Sequence, residues 1–81
     1  MTKKEKKMVL AIIESAELDL VKIEQGKNHI KWHCAAPNGA KRHILTAASP
    51  AGQTWIKKVK SNFFTVFAKA GYNTKTHEII V

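Results

Sequence analysis

The chain has 81 residues, 44% of them hydrophobic, which suits a single small folded domain over residues 1–81 and excludes a disordered chain. Fourteen Lys and Arg oppose six Asp and Glu, and the formal net charge of +8 attracts polyanions at long range. One cysteine excludes an intrachain disulfide, and the longest apolar run, Met8 to Ile13, is far shorter than the roughly 20 residues of a membrane span, so we expect a cytoplasmic protein with no membrane partner.

The first predicted element is an amphipathic helix from about Lys3 to Ala16. Its apolar residues recur at the spacing of one helix face, at Val9, Ile12, Ile13 and Ala16. A strand is expected from Leu18 to Glu24, where Val21 and Ile23 alternate with Lys22 and Glu24. A turn follows at residues 25–28.

The second and third strands form a hairpin whose register the sequence predicts. Between His29 and Cys34 the alternation is strict, with one buried and one exposed set of side chains. Pro37, Asn38 and Gly39 suit a three-residue hairpin loop that pairs Ala36 with Ala40. This loop predicts the pairs Trp32 with Ile44, Lys31 with Leu45, and His33 with His43.

A second helix is predicted from Ser49 and Pro50 to about Ala70, because Ser suits the cap and Pro the first turn. Its buried stripe comprises Ile56, Val59, Phe63, Val66, Phe67 and Ala70. Gly71 is expected to end it. Residues 76–81 suit a fourth strand, a dimerisation edge or a flexible tail.

The predicted fold class is therefore α+β in the order α-β-β-β-α. A three-stranded antiparallel sheet carries both helices on one face. The other face stays open and displays His29, Lys31, His33, Lys41 and His43.

The charge is unevenly distributed along the chain. No acidic residue lies between Gln25 and His77, while that stretch holds all four histidines and Lys27, Lys31, Lys41, Arg42, Lys57, Lys58, Lys60, Lys69 and Lys75. Ion pairs within the stretch therefore cannot cancel its charge. This predicts a nucleic-acid partner; a solvated surface kept for solubility is the alternative.

The order of elements and two short motifs resemble the double-stranded-RNA-binding fold. The classical domain has a G-P-x-H loop and a K-K-x-A-K helix start, and the matching residues are Gly26-Lys27-Asn28-His29 and Lys57-Lys58-Val59-Lys60. The resemblance implies that RNA is the favoured nucleic acid. It also implies that the loop and the helix start contact it.

The chain also resembles the HicA toxins, bacterial mRNA interferases with the same fold. The likeness runs from the first helix to Phe67-Ala68-Lys69-Ala70-Gly71, and Lys27-Asn28-His29 stands where the family has G-S-H. The resemblance implies a metal-independent endoribonuclease whose catalytic residue is His29. It also implies a HicB-like antitoxin as protein partner.

The chemistry of the candidate residues fits those roles. His29 can act as base on a ribose 2′-hydroxyl and as acid on the leaving 5′-oxygen, and Lys27 and Lys31 can stabilise the phosphate between them. The alternative is a histidine that only contacts RNA or water. We expect no cofactor and no metal, because about 13 Å of strand separates His29 from His33 and Cys34 points to the other face.

Other basic residues are candidates for nucleic-acid binding. His33 and His43 can stack on bases or pair on the surface, and Lys41 and Arg42 lie beside them. Near the start of the second helix, ammonium groups and backbone amides can grip phosphates, which assigns this role to Lys57, Lys58 and Lys60. Lys60 lies off the main polar face, towards Phe64.

Two other functions remain open at this point. One is a non-catalytic RNA-binding or DNA-binding accessory protein, such as a phage or mobile-element product. The other is an inhibitor whose charge binds an acidic protein. The sequence leaves a monomer and a homodimer equally open.

Overall fold

Two helices and three strands form the fold. The structure is a computed structural model that describes residues 1–80. The elements, in chain order, are α1 (Lys3–Ser15), β1 (Asp19–Gln25), β2 (His29–Ala35), β3 (Lys41–Ala47) and α2 (Trp55–Lys69). The strands form one antiparallel sheet in the order β1-β2-β3. This confirms the predicted α+β fold class.

Helix α1 begins with a capping box. The hydroxyl of Thr2 accepts a hydrogen bond from the Glu5 amide at 3.2 Å, and the Thr2 amide donates one to the Glu5 carboxylate at 2.8 Å. The bond from the Thr2 amide holds the pKa of Glu5 below its usual value. Val9 and Ile13 are buried, as the apolar spacing predicts.

Strand β1 contains a bulge that the simple alternation does not predict. Leu20 pairs with Cys34 and Lys22 pairs with His33, which leaves Val21 as an extra residue. From Lys22 onward the predicted alternation holds. All seven residues of the strand are exposed.

The register of β2 and β3 is the predicted one. Trp32 pairs with Ile44, His33 with His43, and Lys31 with Leu45. In the loop, the Ala36 amide donates to the Ala40 carbonyl at 2.8 Å, and Gly39 has a φ of 86°, which glycine adopts without strain.

The core lies between the sheet and the helices. Trp32 and Ile44 from the sheet belong to the same buried cluster as Val59, Phe63 and Phe67 from α2. Ile56 and Val66 pack against this cluster and are only partly buried. The apolar stripe predicted for the second helix is thus confirmed at its centre.

The predicted start of the second helix is wrong. Helix α2 begins at Trp55, with Thr54 as its N-cap, and not at Ser49 and Pro50. Gly52 has a φ of 80°, which interrupts right-handed helical backbone. Residues 48–54 instead carry the chain from the sheet to the helix layer. The predicted end is close: Ala70 is the C-cap, and Gly71 follows with a φ of 87°.

The chain after α2 folds back on the helices. Tyr72 is fully buried, and its hydroxyl donates to the Ala16 carbonyl at 2.6 Å. A single bridge joins Tyr72 to Ile79. Within residues 1–80 no fourth strand joins the sheet, so that prediction for residues 76–81 is wrong as far as Ile80; Val81 lies outside the described residues. Neither α1 nor α2 has the length and apolar character to cross a bilayer.

Candidate nucleic-acid interface

The turn between β1 and β2 lies at the same end of the sheet as the chain that leads into α2. His29 pairs with Ala47, so the start of β2 is beside the end of β3. The Ala48 amide then donates to the Asn28 carbonyl at 2.9 Å. The two motifs that resemble RNA-binding elements are therefore directed to one end of the domain.

Helix α1 adds lysines to the same end. Its carboxyl end lies beside the chain that follows α2, because Ala16 accepts the Tyr72 hydroxyl and the Ser15 carbonyl contacts His77 Nε2 at 2.8 Å. The first residue of α1 lies about 18 Å from this carboxyl end, measured along the helix axis, and so at the end of the domain that holds the β1–β2 turn. Five lysines lie at this end of the domain, and we call them the basic end: Lys3, Lys4, Lys27, Lys57 and Lys58.

Gly26 fixes the shape of the β1–β2 turn. Its amide donates to the His29 carbonyl at 2.8 Å. A Cβ atom added to Gly26 would lie 2.8 Å from the same oxygen, which real side chains do not tolerate. Glycine is therefore required here, and Lys27 and Asn28 are held at the exposed tip of the turn.

His29 is exposed at the first position of β2. Lys31 lies on the same face, about 7 Å further along the strand. Among residues 1–80 no side chain or backbone group hydrogen-bonds to the imidazole of His29. The ring is thus free to meet a ligand, and no carboxylate orients it.

His33 and His43 are brought together on the open face, as predicted. Their ring centroids are 5.5 Å apart, and Lys22 continues the same row on β1. Sequence reasoning missed the role of Glu24. Its Oε1 lies 3.3 Å from Lys22 Nζ and 2.6 Å from His33 Nε2, the latter contact being off the axis of the ring N–H.

Glu24 changes the electrostatics of the open face. The Lys22 ammonium, and then His33, hold the pKa of the Glu24 carboxyl below its usual value. This carboxylate, on the edge strand β1, partly neutralises the two bases beside it.

Lys41 and Arg42 do not join the basic end. Lys41 pairs with Ala35, six residues of β3 from Ala47, which is about 20 Å. Arg42 pairs with Cys34, so it lies on the side of the sheet that the helices cover, and its Nη1 donates to the Lys41 carbonyl at 2.7 Å. The candidate residues therefore fall into four places: the basic end with the start of β2, the His33–His43 pair on the open face, the far end of β3, and the position of Lys60 on α2.

Lys60, unlike Lys57 and Lys58, lines a groove between α1, α2 and the chain after α2. The groove has a volume of about 500 Å³ and includes Ile12, Lys60, Phe64, Lys75 and His77 in its walls. The sequence predicts that Lys60 lies towards Phe64, and this is confirmed. Lys75 and His77 were missed, because only the fold-back of the chain brings them there.

The described residues hold no metal-binding cluster. Within residues 1–80 no group of three or more His, Cys, Asp or Glu residues is arranged to hold a metal ion. Burial raises the pKa of the Cys34 thiol to about 11, so this sulfur is protonated at neutral pH.

Comparisons of the chain with protein-family models, curated proteins and solved structures find no match. The fold and the surface chemistry together define a small basic α+β domain.

Proposed function

We propose that this protein binds RNA through the basic end. The observation that carries the proposal is the convergence of lysines from α1, from the β1–β2 turn and from the first turns of α2. None of these lysines forms an ion pair within residues 1–80. Their charge is therefore available to phosphates, and binding releases the counterions of the nucleic acid.

The geometry fits a nucleic-acid duplex. The turn that carries Lys27 and the helix start that carries Lys57 and Lys58 are separate projections at one end of a rigid sheet. Separate basic projections suit a duplex recognised by shape, through phosphates and ribose hydroxyls, rather than by base edges. The resemblance to the double-stranded-RNA-binding fold supports the same reading.

A stronger form of the proposal makes His29 a catalytic residue, as the resemblance to HicA implies. The imidazole would take the proton of a ribose 2′-hydroxyl as its oxygen attacks phosphorus, and the 5′-oxygen would leave with a proton from the imidazolium. The products are a 2′,3′-cyclic phosphate and a free 5′-hydroxyl. The exposed ring of His29 and the nearby Lys27 and Lys31 support this form.

Binding is tested by the salt dependence of affinity for a short RNA duplex. Changing Lys57 and Lys58 to Gln should flatten the slope of log affinity against log salt by up to about one unit per lost phosphate contact. A matched control changes Lys41 and Lys69 to Gln, which removes the same charge away from the basic end. Equal losses in both variants would show that only the net charge matters.

Cleavage is tested with single-stranded RNA in EDTA. We expect His29→Ala to abolish cleavage while RNA affinity stays within a few fold, because the lysines remain. Affinity lost together with cleavage would make His29 a contact residue. If the wild type cleaves none of several RNAs, the protein is a non-catalytic binding protein.

A further inference from the structure

Three segments of the chain line the groove beside Phe64. Ile12 and Ser15 belong to α1, Lys60 and Phe64 to α2, and the third wall is the chain from Thr74 to His77. The carboxamide oxygen of Asn73 accepts the amides of Lys75 at 2.8 Å and Thr76 at 3.0 Å. Since His77 Nε2 also contacts the Ser15 carbonyl, the third wall is tied to α1 before any ligand arrives.

The groove combines an aromatic surface with positive charge. Phe64 is half-buried, and Nζ of Lys75 lies 4.6 Å from the centre of its ring. The Lys75 ammonium covers this face of the ring, and because Lys75 is itself exposed, the face becomes accessible when its side chain moves aside. Lys60 stands on the same side of α2. No carboxylate belongs to the described lining, but Oε1 of Glu17 lies 3.6 Å from Nδ1 of His77, one of the lining residues.

The groove is continuous with the basic end. Lys57, Lys60 and Phe64 lie three and seven residues apart and therefore share one stripe of α2. A second recess of about 290 Å³ is lined by Lys57, Lys60, Ser61, Phe64 and Lys75 and joins this stripe to the groove. The distance from Lys57 to Phe64 is about 10 Å along the helix axis.

We propose that the groove binds one unpaired nucleotide of an RNA whose duplex part contacts the basic end. The base stacks on Phe64, and Lys75 swings from the ring to the phosphate, which Lys60 also contacts. A nucleotide is a flat aromatic base joined to an anionic phosphate. It therefore complements a groove in which an apolar surface lies beside two ammonium groups. The volume of about 500 Å³ is in the usual range for a ligand site. This inference rests on the proposed function and adds a preference for RNA with an unpaired end.

The test uses two RNA duplexes, one blunt and one with a single unpaired 2-aminopurine nucleotide at its 3′ end. The wild type should bind the second duplex about 5-fold or more tighter, in line with the contribution of one base on an aromatic side chain. The 2-aminopurine fluorescence should be quenched on binding. Equal affinity for the two duplexes, without quenching, would overturn the proposal and leave RNA binding intact.

Three variants assign the effect to the groove. Phe64→Leu keeps an apolar side chain but removes the ring, so both the quenching and the preference should be lost while blunt-duplex affinity is unchanged. Lys75→Gln, at an exposed position, should reduce the preference without risk to folding. Lys69→Gln removes the same charge elsewhere on α2 and should leave the preference unchanged. A preference retained in Phe64→Leu would overturn the proposal.

Two further measurements distinguish an RNA nucleotide from other occupants of the groove. A third comparison distinguishes a failure of this proposal from a failure of the proposed function. Free 2-aminopurine ribonucleoside monophosphate should bind more weakly than the overhang; binding as tight as the overhang would assign the groove to free nucleotides. An acidic peptide that displaces the nucleotide with higher affinity would assign it to a protein. A fall in affinity for both duplexes in the Lys57 and Lys58 variant reports on the basic end, whereas loss of the preference in Phe64→Leu at unchanged blunt-duplex affinity reports on the groove.

Discussion

Trp32 and Thr46 form a hydrogen bond inside the core, across two neighbouring strands. The indole Nε1 donates to the Thr46 hydroxyl at 2.9 Å. Trp32 is fully buried and Thr46 is 4% exposed, so water cannot replace either partner. Because Trp32 pairs with Ile44, Thr46 is its diagonal neighbour on β3.

Changing Thr46 to Val should destabilise the fold although the shape of the side chain is nearly kept. The indole N–H would lose its acceptor while remaining buried, and we expect a cost of about 1–3 kcal/mol in the free energy of unfolding, measured in urea. Thr46→Ser retains the acceptor and serves as the control. A Val variant as stable as the wild type would show that this bond adds nothing.

Tyr72 should anchor the chain that follows α2. Tyr72→Phe removes the hydroxyl that donates to Ala16, with an expected loss of about 1 kcal/mol in stability. Hydrogen exchange gives a local readout, because the amides of Asn73 and Ile80 bond to Glu78 and Gly71. These two amides should exchange faster in the variant, while amides in β2 change little. Equal acceleration throughout the chain would indicate only global destabilisation.

Cys34 should be unreactive in the folded protein. Its side chain is 1% exposed, and burial raises the pKa of its thiol to about 11, so the thiolate is scarce at pH 8. A thiol reagent should label it only in concentrated urea. Rapid labelling of the native protein, with the sheet still folded by circular dichroism, would contradict the burial of this residue.

Glu24 should contribute a stability that depends on pH. Its pKa is lower in the folded protein than the ordinary value of 4.5, so the stabilisation is present above that value and is lost as the pH falls through the folded pKa. The groups that face it are Lys22, His33 and Lys31. The wild type should be more stable than Glu24→Gln at pH 7, and the difference should shrink as the pH falls through the folded pKa of Glu24, as measured by urea unfolding.

A control for this experiment is Glu14→Gln in α1. Glu14 is exposed and forms no ion pair within residues 1–80. Its substitution therefore removes a carboxylate without removing an ion pair. A Glu24 difference that does not shrink on acidification would show that the side chain acts through packing rather than charge.

The hairpin of β2 and β3 is predictable because its signals are local. The alternation around Trp32 fixes which side chains are buried, and the length of the loop at Pro37 to Gly39 fixes the register. The start of α2 is not predictable in this way. Ser49 and Pro50 carry a local start signal, but the chain must first cross from the sheet to the helix layer, and it turns at Gly52 with left-handed backbone.

The candidate site likewise contains features that local sequence signals predict and features that depend on contacts between distant residues. The placement of Lys27 and Lys57 follows from the order of elements, which composition and periodicity predict. The contact between Glu24 and His33 depends on the pairing of β1 with β2, which places Glu24 opposite Lys31 and diagonal to His33, and the sequence predicts no register for these two strands. Lys75 and His77 enter the groove through contacts between residues far apart in the chain, which no local pattern reports.

The extra residue at Val21 also bears on how the protein behaves at high concentration. β1 is an edge of the sheet, and Leu20, Val21 and Ile23 are all exposed along it. A straight apolar edge is a template on which another chain can add a strand, whereas a bulge twists the edge and breaks its ladder of amides. Deleting Val21 would give β1 an uninterrupted ladder, and we expect the resulting protein to self-associate into aggregates.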